Sequence, residues 1–62
     1  SGGGAPENPA IYKPPVDIPD GADDDVVARQ LREAAMREPD PIIRERLWNE
    51  YRKYTGLEVP KA

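Results

Sequence analysis

The stretch that decides the fold of this chain is Arg37-Glu38-Pro39-Asp40-Pro41. A residue before proline is pushed out of the α-helical region, so Pro39 predicts that one helix ends at about Glu38. Asp40 is a typical helix N-cap, and Pro41 suits the first position of the next helix, where a missing N–H costs nothing. A joint this short leaves the two helices little choice but to fold back on each other. The sequence therefore predicts an all-α protein built on an antiparallel two-helix hairpin.

The segment before this joint predicts a first helix over about residues 24–38. Asp23 is the expected N-cap, and Asp24 and Asp25 then lie in the first turn, where carboxylates complement the helix dipole. Apolar residues recur at helical spacing and predict the face that packs inward. These residues are Val27, Ala28, Leu31, Ala34 and Ala35. Met36 is expected on the outer face.

The segment after the joint predicts a second helix over about residues 41–55. Its predicted inward stripe is Ile43, Leu47, Tyr51 and Tyr54, with Ile42 and Trp48 on the flanks. Gly56 is the expected left-handed residue that ends the helix. We expect Leu57 and Val59 to return over the open end of the hairpin.

A proline-rich segment precedes the hairpin. The predicted organisation is a flexible tether over 1–8, an extended arm over 9–22 and the hairpin with a short tail over 23–62. The arm interleaves its prolines with Ile11, Tyr12, Val16 and Ile18, which a pure linker would not need. Two helices form a thin core at this size. Either the arm packs as a third layer over the apolar seam, or the hairpin depends on a partner.

Composition removes several functional classes. The 62 residues include no Cys and no His, which excludes disulfides, thiolate metal sites and the commonest general base. The acidic run from Asp17 to Asp25 fails the EF-hand pattern, because Gly21 falls fifth and Ala28 twelfth counting from Asp17. That run is better explained by helix capping and a soluble turn. We expect no catalysis, no cofactor and no metal.

Charge is divided unevenly along the chain. Residues 1–25 hold six acidic residues and one lysine, a net charge of −5, whereas residues 26–62 hold eight basic and six acidic residues, a net charge of +2. The arm and the helical body are therefore expected to attract each other. An acidic arm and interleaved acids argue against nucleic-acid binding.

The aromatic residues are the best candidates for a binding site. Trp48 and Tyr51 lie on the second helix, with Arg44 one turn before Trp48 and Arg52 one turn after it. One interpretation is that the two rings pack on the prolines of the arm. The other is a partly exposed hot spot for a protein partner, formed by Trp48, Tyr51, Arg44, Arg52 and Tyr12.

The N-terminus, Ser1-Gly2-Gly3-Gly4 followed by a spacer with Pro6 and Pro9, resembles the start of a mature bacterial lipoprotein just after its lipidated cysteine. That resemblance implies export to the periplasm and acyl anchoring to the outer membrane. The hairpin itself is not assigned to a family. We expect a small non-catalytic protein-interaction module, an accessory or assembly lipoprotein of the cell envelope. The alternative is a cytoplasmic docking or regulatory domain excised from a larger protein, with the glycines introduced by cloning. Self-association through the alanine face stays open.

Overall fold

A computed structural model of the protein describes residues 11–61. Helix α1 spans Val26–Arg37 and helix α2 spans Pro41–Thr55, and the two helices pack against each other. Residues 11–61 contain no strand, so the predicted all-α hairpin is confirmed. The predicted tether over 1–8 and the start of the predicted arm, residues 9 and 10, lie outside the described residues. No helix between residues 11 and 61 has the length and apolar character to cross a membrane.

Helix α2 begins and ends as its local sequence predicts. The Asp40 carboxylate accepts hydrogen bonds from the backbone N–H groups of Ile42 and Ile43, and Pro41 follows at the first helical position. Gly56 ends the helix with a φ of 85°. The N–H of Leu57 then donates to the Arg52 carbonyl at 2.8 Å, the long bond of a Schellman motif. This cap turns Leu57 back onto the core, as expected.

The predicted start of α1 is wrong by two residues. The N-cap is Asp25, whose carboxylate accepts from the Ala28 N–H at 2.9 Å, and not Asp23. Three adjacent aspartates have equal capping propensity, so tertiary contacts choose between them. The Asp24 carboxylate is taken by Arg32 and Tyr51, and this contact places the cap one residue later.

The core is small and lies towards one side of the hairpin. Its fully buried apolar members are Ala28, Ala35, Trp48 and Tyr51, and partly buried apolar side chains pack around them. Those partly buried side chains are Ile18, Leu31, Met36, Leu47 and Leu57. The prediction that Met36 lies on the outer face is wrong. The arm adds a layer on that flank of α1, and the Tyr12 N–H donates to the Met36 carbonyl at 2.8 Å.

The described part of the predicted arm, residues 11–22 (hereafter the arm), docks on the hairpin. Ile18 packs against the core, and the Pro19 carbonyl accepts from the Arg32 guanidinium at 2.6 Å. The arm is not extended throughout, because the Ile18 N–H donates to the Pro15 carbonyl and closes a turn. Of the two alternatives for the thin core, packing of the arm as a third layer is therefore confirmed for these residues.

Candidate functional site

One face of α2 holds the arm. Arg44, Trp48 and Arg52 recur every fourth residue and so share that face. Together with Met36 of α1 they form what we call the arm groove. At one end the Arg44 guanidinium lies 3.9 Å from the centre of the Tyr12 ring, a close cation–π contact. The same guanidinium donates to two carbonyls of the joint between the helices. These belong to Glu38, at 2.9 Å, and Pro39, at 3.1 Å.

The other end of the arm groove is closed by Arg52, which is 1% exposed. Its guanidinium donates two hydrogen bonds, of 2.9 and 3.0 Å, to the two oxygens of the Asp17 carboxylate. It also donates to Glu45 at 2.8 Å and to Asn49 at 2.7 Å. A buried charge is tolerated only when it is paired and hydrogen-bonded in this way. The bond from Arg52 holds the pKa of Asp17 below its ordinary value, so this carboxylate stays charged into acid.

A second polar cluster joins the end of the arm to both helices. The Tyr51 hydroxyl donates to Asp24 at 2.6 Å, and the Arg32 Nε donates to the other oxygen of Asp24 at 2.8 Å. Arg32 also donates to the Tyr51 hydroxyl at 2.8 Å. The bond from Arg32 lowers the pKa of Asp24, whereas burial, followed by the bond to Asp24, raises the pKa of Tyr51. A Cβ on Gly21 would come within 2.8 Å of Arg32, and its φ of 93° also favours glycine.

Of the two interpretations of the aromatic residues, the partly exposed hot spot does not fit the burial of Trp48 and Tyr51. Trp48 and Tyr51 are each 1% exposed and meet edge to face, with ring centres 5.6 Å apart and an interplanar angle of 79°. Arg52 is buried as well, while Tyr12 and Arg44 are half-buried against each other. The physical reason is the arm, which covers the flank of α2 that a bare hairpin would leave open. Whether these five residues bind a partner stays a prediction.

The indole of Trp48 has one unusual property. Its Nε1–H is buried and meets no hydrogen-bond acceptor within residues 11–61. Buried donors without a partner are rare in native proteins, since each costs about 1–3 kcal/mol. The donor belongs to the middle residue of the arm groove, between the two arginines that hold the arm.

The opposite side of the hairpin carries apolar residues that nothing within residues 11–61 covers fully. On α1, residues 27, 31 and 34 share a flank, and on α2 residues 43, 47 and 54 share a flank. We call these the open face: Val27, Leu31, Ala34, Ile43, Leu47 and Tyr54. Three of its large side chains are 43–49% exposed, while Leu31 and Leu47 are half-buried. Its edge near Tyr54 is fixed by a hydrogen bond from the Tyr54 hydroxyl to Asp25.

The open face corrects the predicted inward stripes. Ile43 and Tyr54 were expected in the core, but α2 is rotated so that Trp48 and Arg52 point inward instead. Val27 and Ala34 of α1 are likewise exposed rather than buried. The arm adds a third layer on one side only, so the core lies closer to that side than a bare two-helix hairpin would place it. A two-helix pattern read by itself has no means of anticipating this displacement.

Comparisons of the chain with protein-family models, with curated proteins and with solved structures gave no match. Within residues 11–61 no group of three or more His, Cys, Asp or Glu side chains is arranged to hold a metal ion. The site is therefore described by its own contacts alone. It consists of an arginine-lined groove that holds the arm, and of an apolar face that no other residue between 11 and 61 covers fully.

Sequence reasoning missed three residues of the site: Asp17, Asp24 and Arg32. The two aspartates were assigned to capping and to a soluble turn, yet their carboxylates form ion pairs with Arg52 and Arg32. The signal that could have found them was the charge division between arm and body. The predicted attraction between the arm and the helical body is supported by the Asp17–Arg52 ion pair, and the Asp24–Arg32 pair joins the end of the acidic segment to α1.

Proposed function

We propose that this chain is a small, non-catalytic protein-interaction module, and that it serves as an accessory or assembly lipoprotein of the bacterial cell envelope. The observation that carries the interaction proposal is the open face. A 62-residue chain places large apolar side chains at Val27, Ile43 and Tyr54 on one side and leaves each 43–49% exposed. Apolar surface grouped on one side of a small protein is typical of a binding surface.

The shape of the open face favours a helical partner. Two neighbouring helices with a small residue, Ala34, beside larger ones present an apolar surface on which an amphipathic helix can pack. A third helix packed there would cover the open face as the arm covers the other side of the hairpin. It would also bury the exposed parts of Ile43 and Tyr54, which favours association by roughly 25 cal/mol per Å² of apolar area.

The lipoprotein part of the proposal is supported by the resemblance of residues 1–9. The Tyr12 backbone N–H is bonded to the Met36 carbonyl, so the arm meets the hairpin beside the joint between the helices. This contact lies on the arm side of the hairpin and not on the open face, which a lipid-anchored module would need for a partner. Anchoring would also raise the effective concentration of the module near membrane-bound partners.

Site-specific photo-crosslinking in the native cell tests the interaction proposal. A photoreactive residue at Ile43 or Tyr54 should give a discrete crosslinked product, whereas one at Val16, fully exposed on the arm, should not. Val27→Lys should abolish the product at Tyr54 while far-UV circular dichroism stays unchanged. Equal crosslinking from Val16 and Ile43, or a product that survives Val27→Lys, would contradict the proposal.

An intact-mass measurement on the mature protein from its native cell tests the lipid anchor. A diacylglyceryl-modified cysteine ahead of Ser1 is the expected result. A longer, unmodified chain would sink the lipoprotein assignment. It would favour the alternative of a cytoplasmic docking or regulatory domain from a larger protein.

A further inference from the structure

The arm contacts the hairpin as a bound peptide contacts a receptor. Its Tyr12 ring stacks on Arg44, its Tyr12 N–H bonds to Met36, and its Asp17 carboxylate is held by Arg52. Pro14 and Pro15 lie between these anchors and are half-buried. None of these contacts depends on the covalent link between arm and hairpin. A separate chain with the same side chains could make each of them.

The arm nevertheless leaves one feature of the groove unused. Trp48 Nε1–H is buried and has no hydrogen-bond acceptor within residues 11–61. Proline-rich segments expose backbone carbonyls and few N–H groups, so a tryptophan donor suits them. Grooves that recognise such segments are lined with aromatic side chains, as this groove is with Trp48. The arm therefore satisfies the two arginines and leaves the indole unsatisfied.

Release of the arm is compatible with the hairpin's own electrostatics. When Asp17 leaves, Arg52 keeps its bonds to Glu45 and Asn49, so its charge does not become unpaired. Arg44 likewise keeps its bonds to the carbonyls of the joint. Residues 12–17 can therefore leave the groove without leaving either arginine unpaired. The Arg32 cluster at the start of α1 is a separate attachment.

We propose that the arm groove is a receptor for a proline-rich segment of another protein, and that the arm occupies it as an internal placeholder. The incoming segment carries an aromatic ring for Arg44, a carboxylate for Arg52 and a backbone carbonyl for Trp48 Nε1–H. This inference goes beyond the proposed function, since it concerns the side of the hairpin opposite to the open face. The extra hydrogen bond favours the incoming segment over an arm-like one by about twofold to tenfold.

The test uses the full chain with its own arm weakened. In Asp17→Asn the internal arm loses its carboxylate, and Arg52 becomes available to a peptide added in trans. The first probe is a synthetic peptide with the sequence of residues 11–20, IYKPPVDIPD. The second, IYPPPPDIPD, is the same peptide with prolines at the positions of Lys13 and Val16, which restrict the free peptide before it binds. A matched peptide in which the first aspartate is asparagine serves as the control.

Trp48 is the only tryptophan, so its indole N–H gives a single nuclear magnetic resonance signal that reports on the groove. Both probes should bind Asp17→Asn, and the control peptide should bind at least tenfold more weakly. The second probe should bind about twofold to tenfold more tightly than the first, because it loses less conformational freedom on binding. A hydrogen bond from the indole to a peptide carbonyl should move the indole signal downfield. The unaltered chain should bind both probes more weakly, because its own arm competes at high effective concentration.

Three results would overturn the inference. They are no binding of either probe at millimolar concentration, binding that ignores the loss of the peptide carboxylate, and binding of both probes with an unmoved indole signal. Tyr12→Ala weakens the opposite end of the arm and repeats the test should Asp17→Asn fold poorly. Val27→Lys, introduced into the Asp17→Asn chain, should leave peptide affinity unchanged. A failure in the groove is thus distinguishable from a failure of the open-face proposal.

Discussion

The two sides of the hairpin differ in composition and in what covers them. On the arm side Trp48 and Arg52 are each 1% exposed, because residues 11–22 lie over them and supply a carboxylate for the arginine. On the open face Val27, Ile43 and Tyr54 keep 43–49% of their exposure. The difference teaches that a third layer, and not the helical periodicity, decides which flank of each helix becomes core.

The largest expected effect comes from truncating the core under the arm. Trp48→Ala removes the largest buried side chain and should destabilise the fold by about 3–5 kcal/mol, enough to leave so small a domain largely unfolded at 25 °C. Leu47→Ala, its half-buried neighbour towards the open face, should cost only about 1–2 kcal/mol. Urea unfolding followed by circular dichroism measures both. Equal losses would remove the distinction between the two sides.

Glycine substitutions sharpen the comparison at the turn that leads the arm into α1. Gly21 and Gly56 both have positive φ, so alanine at either position should cost roughly 1–2 kcal/mol. Gly21→Ala should cost more, because its Cβ would also displace Arg32, whereas the Cβ at Gly56 has nothing within 4 Å. Thermal unfolding of the two variants provides the measurement. A larger loss for Gly56→Ala would show that the Arg32 cluster contributes little.

Acid should loosen the arm side. Bonds from Arg52 and Arg32 lower the pKa values of Asp17 and Asp24 from the ordinary 3.8. Their stabilising contribution is therefore complete above that ordinary value and is lost as pH falls through the lower pKa of the folded state. Trp48 fluorescence should change along this titration in the parent chain. In Asp17→Asn the part due to release of the arm should be absent, and an identical titration would contradict the role of the Asp17–Arg52 pair.

The smallest effect is expected on the open face. Val27→Lys replaces a side chain that is 45% exposed and should change stability by no more than about 0.5 kcal/mol. The measurement is the midpoint of urea unfolding compared with that of the parent chain, with the dependence of the unfolding free energy on urea concentration expected to stay unchanged. A loss above about 1 kcal/mol would mean that the open face is part of the core, and that its exposure is not available to a partner.

Local signals made the hairpin predictable. Pro39, Asp40, Pro41 and Gly56 act through their own backbone geometry, so their roles do not depend on the rest of the fold. The cap of α1 could not be predicted because three adjacent aspartates are equivalent until Asp24 is drawn to Arg32. Propensity alone cannot rank such neighbours.

The arm groove was predictable only in outline. Charge division indicated that arm and body attract, but the burial of Arg52 could not be foreseen, since arginine is almost never fully buried unless it is paired. Its partner Asp17 lies 35 residues away in the chain. The rotation of α2 likewise depends on the arm, whose position no helical pattern encodes.

The Arg44 guanidinium ties two parts of the molecule that the sequence keeps apart. It donates to the carbonyls of Glu38 and Pro39 in the joint and stacks on the Tyr12 ring of the arm. A change at Tyr12 therefore alters the position of the guanidinium that bonds to the joint. A change in the backbone of the joint likewise alters the guanidinium on which the arm packs. Positions 12 and 44, whose side chains are in contact, are expected to vary together during evolution. A designer who grafts a new arm onto this hairpin must therefore give it an aromatic ring that packs on Arg44.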